Sequence, residues 1–226
     1  MKLLFFFLFN ILFYNGLAQD DSVRLIKYTP EYIFKDGIYL SFDQLKNNSP
    51  ILKSRIISSL DPDSEDFFEK LLSKDNIYIY DKYGVKKEVP VKNIWGYCNN
   101  GMVYINLSEN FHRINIIGTL CHFIADVTVY SNTYYDPYYY YYSNNPYYYN
   151  MRPVATKSSE IRQFIFNFND GKVYDYSVEG LEIVLMKDPE LYDEYVSLKS
   201  KKKKELKFYY IRKFNERNPL YLPEIN

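Results

Sequence analysis

The stretch FIFNFNDGKVYDYSV, residues 164–178, decides how the chain is to be read. Two strand-length runs, FIFNF (164–168) and KVYDYSV (172–178), are joined by Asn169, Asp170 and Gly171, residue types that accept the positive φ of a tight turn. That is an antiparallel hairpin. Upstream of it, IYIY (77–80), VKNIWGYC (91–98), MVYINLS (102–108) and FHRINIIG (111–118) have strand length and composition, with DKYG and NNG as hairpin turns between them. The economical reading is an α+β fold built on an antiparallel meander of about six to eight strands.

Helices flank this sheet. Ser41 and Gln44 have the spacing of a capping box ahead of Phe42 and Leu45, and Pro50 stops the segment. Asp61, Pro62 and Asp63 precede Phe67, Phe68, Leu71 and Leu72, whose spacing makes one apolar stripe. Two C-terminal helices are predicted. One opens at the cap Asp188 with Pro189 and carries Leu191, Tyr192, Tyr195 and Val196. The other runs from about Lys201 to Glu216 with Leu206, Tyr210 and Phe214 on its stripe. The tail NPLYLPEIN contains two prolines, which prevent further helix.

The N-terminus MKLLFFFLFNILFYNGLAQDD has one cation, Lys2, an apolar run from Leu3 to Tyr14, and small residues Gly16 and Ala18 before Gln19. This is the layout of a signal peptide over residues 1–18, with a retained anchor helix as the alternative. Residues 19–226 then form a single α+β domain that is exported: periplasmic, extracellular or associated with an outer membrane. The whole chain carries 28 basic and 28 acidic residues, so net charge does not suggest nucleic acid as a partner. Aromatic content is the outlier, at 19% with 27 Tyr and 16 Phe but one Trp. Much of it lies in YSNTYYDPYYYYYSNNPYYYN (130–150), a low-complexity Tyr-rich insertion. Tyr138, Tyr139, Tyr140, Tyr141 and Tyr142 are its candidate aromatic contact surface, since a phenol offers a flat face and a hydroxyl to a glycan or a protein.

Residues able to do chemistry are few. Cys98 and Cys121 are the only cysteines, and export permits a disulfide. In a meander with one strand between them they lie about 9 to 10 Å apart, beyond the Cα separation of about 7 Å that a bridge tolerates. A bridge and a pair of buried unpaired thiols both stay open. His112 and His122 are the only histidines, and no CxxC, HxH or HExxH spacing completes a metal shell, so neither a metal nor a cofactor is expected. The carboxylates Asp126, Asp170, Asp175 and Glu179 form no evident acid/base pair. GxSxG, GxxxxGK[ST] and GxGxxG are absent, so no catalytic residue is named. The run Lys199 to Lys213 holds eight basic residues against Glu205 alone, and Lys201, Lys202, Lys203 and Lys204 make a candidate surface for an anionic partner. Its bland reading is a solvated helix face. In WGYCNNG, Trp95 and Tyr97 are expected on one strand face as core anchors, with Gly96 admitting close approach from the other side.

GIYLSFDQLKNNSP (37–50), IWGYCNNGMVYI (94–105) and FNERNPLY (214–221) together resemble a group of uncharacterised exported bacterial proteins. Those share a signal peptide, a GIYxSF opening, a central WGYxxxG hairpin and a helical tail ending near an N-P pair. The resemblance implies a shared fold and no functional residue, and the Tyr tract departs from it. The leading functional expectation is an exported, non-catalytic envelope protein acting by binding or assembly on an envelope protein or glycan. The alternatives are a periplasmic hydrolase without a recognisable motif and a peripheral membrane-surface factor using the basic segment 199–213.

Overall fold

A computed structural model describes residues 24–131 and 156–224. The signal segment 1–18 and the Tyr138 to Tyr142 surface lie outside the described residues. Among those described, the strands number twelve and fall into four antiparallel sheets, so the single meander is corrected. β1 (Leu25–Lys27) pairs with β12 (Tyr221–Pro223) and ties the two ends of the domain together. A four-stranded sheet has the order β2 (Gly37–Tyr39), β6 (Gly96–Asn99), β7 (Met102–Leu107), β8 (Asn110–Ile114). β3 (Ile56–Ile57), β4 (Asn76–Tyr80) and β5 (Lys86–Pro90) make a small sheet beside it. β9 (Leu120–Ser131), β10 (Thr156–Asn167) and β11 (Lys172–Asp175) make the last, in which the predicted 164–178 hairpin pairs Phe164 with Asp175. Gly171 at its turn has φ +69° and sits so close to the Phe42 ring that an added Cβ would lie 2.5 Å from it. A positive φ and a close approach together call for glycine.

Alternation assigns the faces. Gly96, Cys98, Val103, Ile105 and Ile114 turn inward from the four-stranded sheet and meet Cys121, Phe123, Ala125, Val127, Phe164 and Phe166 of the β9–β10 ribbon. The opposite face of that ribbon gives Leu120 and Ile165 to a second cluster, covered by the C-terminal helices. A third cluster joins Ile38 on the other face of the four-stranded sheet to Ile77, Ile79, Phe67, Phe68 and Leu71. The elements thus stack in layers, with the four-stranded sheet and the β9–β10 ribbon each burying alternate residues on opposite sides, whereas β4 buries one face and exposes the other.

The helices are α1 (Phe42–Lys46), α2 (Phe67–Leu72), α3 (Val178–Leu185), α4 (Pro189–Val196) and α5 (Ser200–Arg217). At α1 the Ser41 hydroxyl accepts from the Gln44 N–H, and the Gln44 side chain returns to the N–H of Leu40, one residue before the usual position. The segment after Asp61 is turn rather than helix, because Asp61 accepts from the Asp63 N–H and holds the chain locally, and α2 starts only at Phe67. Two C-terminal helices become three. β11 ends at Asp175, and the Ser177 hydroxyl accepts from the Gly180 N–H at 2.9 Å to open α3, a cap hidden in sequence by the alternating tyrosines before it. Asp188 caps α4 as read, accepting from the Leu191 N–H.

The three motifs behind the resemblance have structural roles. Asn48 is buried at φ +45°, accepts from the Lys35 N–H at 2.8 Å, and donates to the Tyr32 hydroxyl at 3.1 Å. Tyr39, fully buried, donates to the Lys35 carbonyl. In the tail, Asn215 pairs with both the N–H (2.7 Å) and the C=O (2.8 Å) of Leu120, and Arg217 grips Asp188 with two donors.

Candidate functional site

Cys98 and Cys121 are both buried, and the structure holds them as free thiols. Sequence spacing placed Cys121 near the end of a strand in the same sheet. It lies instead at the start of β9 in a different sheet, because the chain leaves β8 at Ile114 and crosses over before pairing again. The single S–H of Cys98 has the Phe34 carbonyl and the Asp36 carboxylate as acceptors within reach, and the Cys121 thiol donates to the Gly118 carbonyl. Burial pushes the Cys121 pKa up to about 11, so the reactive thiolate is scarce at neutral pH. A thiol reagent should find no rapidly reacting group in the native protein and two per chain in denaturant. Rapid native reaction of either would contradict the burial.

The other singled-out residues separate as well. Asp126 lies on the outer face of the ribbon accepting from Ser159, and Asp170 accepts from Lys172 and Tyr174 in its turn. Asp175 ends β11, and Glu179 sits in the first turn of α3. Among the described residues no group of three metal-ligating side chains comes together. Trp95 and Tyr97 do not share a face. Trp95 precedes β6 and packs against Phe42 and Phe166 in the first cluster, whereas Tyr97 packs on the third.

What the fold does assemble is a cleft of about 430 Å³ between α2 and the outer face of the four-stranded sheet. Its floor is a stack of rings. Phe68 of α2 lies over Tyr97 with centroids 5.1 Å apart, and Tyr97 lies over its cross-strand partner Tyr104 at 4.6 Å with an interplanar angle of 2°. Phe111 meets Tyr97 edge-on at 5.3 Å. Among the described residues no ring stacks on the far side of Tyr104, where its cross-strand neighbour on β8 is Arg113. Neither phenol has an intramolecular hydrogen-bond partner among the described residues, and neither is a buried unsatisfied group. Burial, then the neighbouring Tyr104 and Glu69, push the Tyr97 pKa up to about 12, so its hydroxyl remains a donor at neutral pH. Around the rings stand the carboxylates Glu65, Glu69 and Glu109 and the amides Asn99 and Asn110. No basic side chain lines the cleft.

Two hairpin turns of this sheet differ in an informative way. The β6–β7 turn is Asn100–Gly101 at φ +52° and +72°, the usual residues for two successive positive φ values. The β7–β8 turn takes the same form with Ser108 and Glu109 at +55° and +66°, residues poorly suited to it. The strained turn carries Glu109 to the rim. Ser108→Asn with Glu109→Gly should therefore stabilise the fold by about 1 to 2 kcal/mol, raising Tm by about 2 to 8 °C. A melt that does not rise would show that the turn is unstrained.

Sequence reading placed Tyr97, Tyr104 and Phe111 on strands but did not bring them together with α2. The period-two pattern of Tyr97 and Asn99 on β6 and of Tyr104 and Asn106 on β7 was the available signal, pointing one set of side chains away from the inner face. No known protein family, curated protein or solved structure matches the chain.

Proposed function

We propose that this is an exported, non-catalytic envelope protein, related to the exported group its motifs resemble, which binds a glycan in the cleft between α2 and the four-stranded sheet. The observation carrying the reading is the Phe68–Tyr97–Tyr104 stack, which ends beside carboxylates that form no ion pair among the described residues and beside the amides Asn99 and Asn110, each of which donates to one backbone carbonyl. A sugar presents a C–H face that packs on an aromatic ring and a rim of hydroxyls that seek acceptors and donors. The tyrosine hydroxyls and amides can donate, and the carboxylates accept. Three carboxylates in a cleft that no basic side chain lines disfavour acidic sugars and phosphates.

The test applies residues 19–226 to an array of neutral, amino and acidic oligosaccharides, followed by calorimetry on the strongest hit. Neutral or amino sugars are expected to bind and acidic ones not to. Tyr104→Ala should weaken binding about tenfold or more with little change in Tm, because Tyr104 is only half-buried. Absence of any glycan binding, or binding indifferent to Tyr104→Ala, would overturn the reading.

A further inference from the structure

The basic run of α5 is divided by the fold into two sets. Lys203 pairs with Glu182 at 2.8 Å, Lys213 with Glu194 at 2.5 Å, and Lys207 donates to the Tyr176 carbonyl while lying 4.0 Å over its ring. These three hold α5 to α3, α4 and the segment before α3. Lys199, Lys201, Lys202, Lys204 and Arg212 are exposed and form no ion pair among the described residues. Helical spacing puts Lys201, Lys204, Phe208 and Arg212 on one outward stripe. Phe208 is 45% exposed at its centre, a large apolar ring amid cations.

The apolar surface continues past the helix. Phe208 touches the ring of His122, which lies on the outer face of β9, and two residues further along that face is Ile124, 58% exposed. Diagonally across on β10 is Ile161, 80% exposed, whose own partner is Asp126 while Gln163 faces Ile124, and on the other side Ile117 shares a shallow groove with Phe208, Arg212 and Lys27. The carboxylates here are Glu205 and Glu216 of α5, Glu179 of α3 near Lys204, and Asp126, which accepts from Ser159. The helices that cover Leu120 and Ile165 thus leave the rest of this ribbon face bare. Such a contiguous patch marks an interaction surface. A second copy docking through a twofold axis would set the same lysines against one another. Anionic phospholipid instead meets the cations with phosphate and the isoleucines with acyl chain.

We propose that this face docks peripherally on membranes containing anionic phospholipid, with Phe208, Ile124 and Ile161 entering the headgroup boundary while Lys201, Lys204 and Arg212 meet phosphates. The reading is independent of the glycan cleft, which lies on the four-stranded sheet.

The test floats residues 19–226 with vesicles of phosphatidylcholine alone or mixed with phosphatidylglycerol. Binding is expected only to the anionic vesicles, and it should fall severalfold as salt rises and the Debye length shortens. Lys201→Glu with Lys204→Glu should reduce it at least tenfold, and Phe208→Ser with Ile161→Ser should do the same. All four side chains are solvent-exposed, so melts of both double variants should match the parent. Tyr104→Ala should leave vesicle binding unchanged, which separates this surface from the cleft. Failure to float with anionic vesicles, equal binding to neutral ones, or full binding by either double variant would overturn the proposal. So would self-association that grows with protein concentration and is abolished by Phe208→Ser with Ile161→Ser, since that assigns the face to a second copy.

Discussion

Gly96→Ala should lower Tm by roughly 6 to 20 °C and abolish ligand binding in the cleft. A Cβ at this position would stand 2.3 Å from the Tyr104 carbonyl oxygen. That oxygen is backbone, so no flexible tip can swing aside, and β6 must part from β7 to admit the methyl. Overpacking costs about 1 to 3 kcal/mol, and each ladder hydrogen bond lost adds about 0.5 to 1.5 kcal/mol. The bonds at risk hold Gly96 opposite Ile105 and carry the Asn106 N–H to the Trp95 carbonyl. A sum of about 3 to 5 kcal/mol corresponds to roughly 6 to 20 °C for a domain of this size. Tyr104 would move with the strand, so its stack on Tyr97 would be lost too. Circular dichroism melts and calorimetry decide the matter: a variant that melts with the parent and still binds would show that the strands can separate at no cost.

Asn215→Leu is the second substitution with a large expected effect. The Asn215 amide does for Leu120 what a neighbouring strand would do, accepting from its N–H and donating to its C=O. Leu120 is fully buried, so water cannot replace the amide. Leucine keeps the volume and leaves one donor and one acceptor unpaired, at about 1 to 3 kcal/mol each. Denaturant unfolding should show a loss of about 2 to 6 kcal/mol with an unchanged m-value. Loss below about 1 kcal/mol would mean that β9 adjusts to find other partners. The neighbouring Gly118 supports the same geometry, since a Cβ there would stand 2.7 Å from the Asn215 side chain.

These two positions sit inside WGYCNNG and FNERNPLY, and their roles show why those motifs are legible yet silent about activity. Asn215 secures the strand that begins the ribbon, Arg217 and Asn218 both reach Asp188 at the cap of α4, and Gly96 allows two strands to close. The residues that form the cleft lie partly elsewhere. Glu65 and Glu69 come from around α2 and Glu109 from a turn, and no sequence pattern singles these three out, while Phe68 is marked only as one member of an apolar stripe.

The chain's own order determined whatever depends on near neighbours: the Asn169–Gly171 turn, the Asn100–Gly101 turn, the Ser41 and Asp188 caps, and α5 from its apolar stripe. Each follows from φ preference, a hydrogen bond across three residues, or a period of about 3.6 residues, all local quantities. Tertiary structure alone decided which sheet a strand joins. Strand-like segments alternate in the same way whether they pair in one meander or in four sheets, and so β9 could cross over, placing Cys121 in a different sheet from Cys98. It likewise decided which lysines of α5 are tied and which are free, because Glu182 and Glu194 arrive from other helices. The cleft belongs to the same category. Tyr97 and Tyr104 are neighbours through pairing across a turn, but Phe68 reaches them from about thirty residues upstream. That contact forms because burying the apolar face of α2 against the sheet removes it from water, a driving force that no short window of sequence contains.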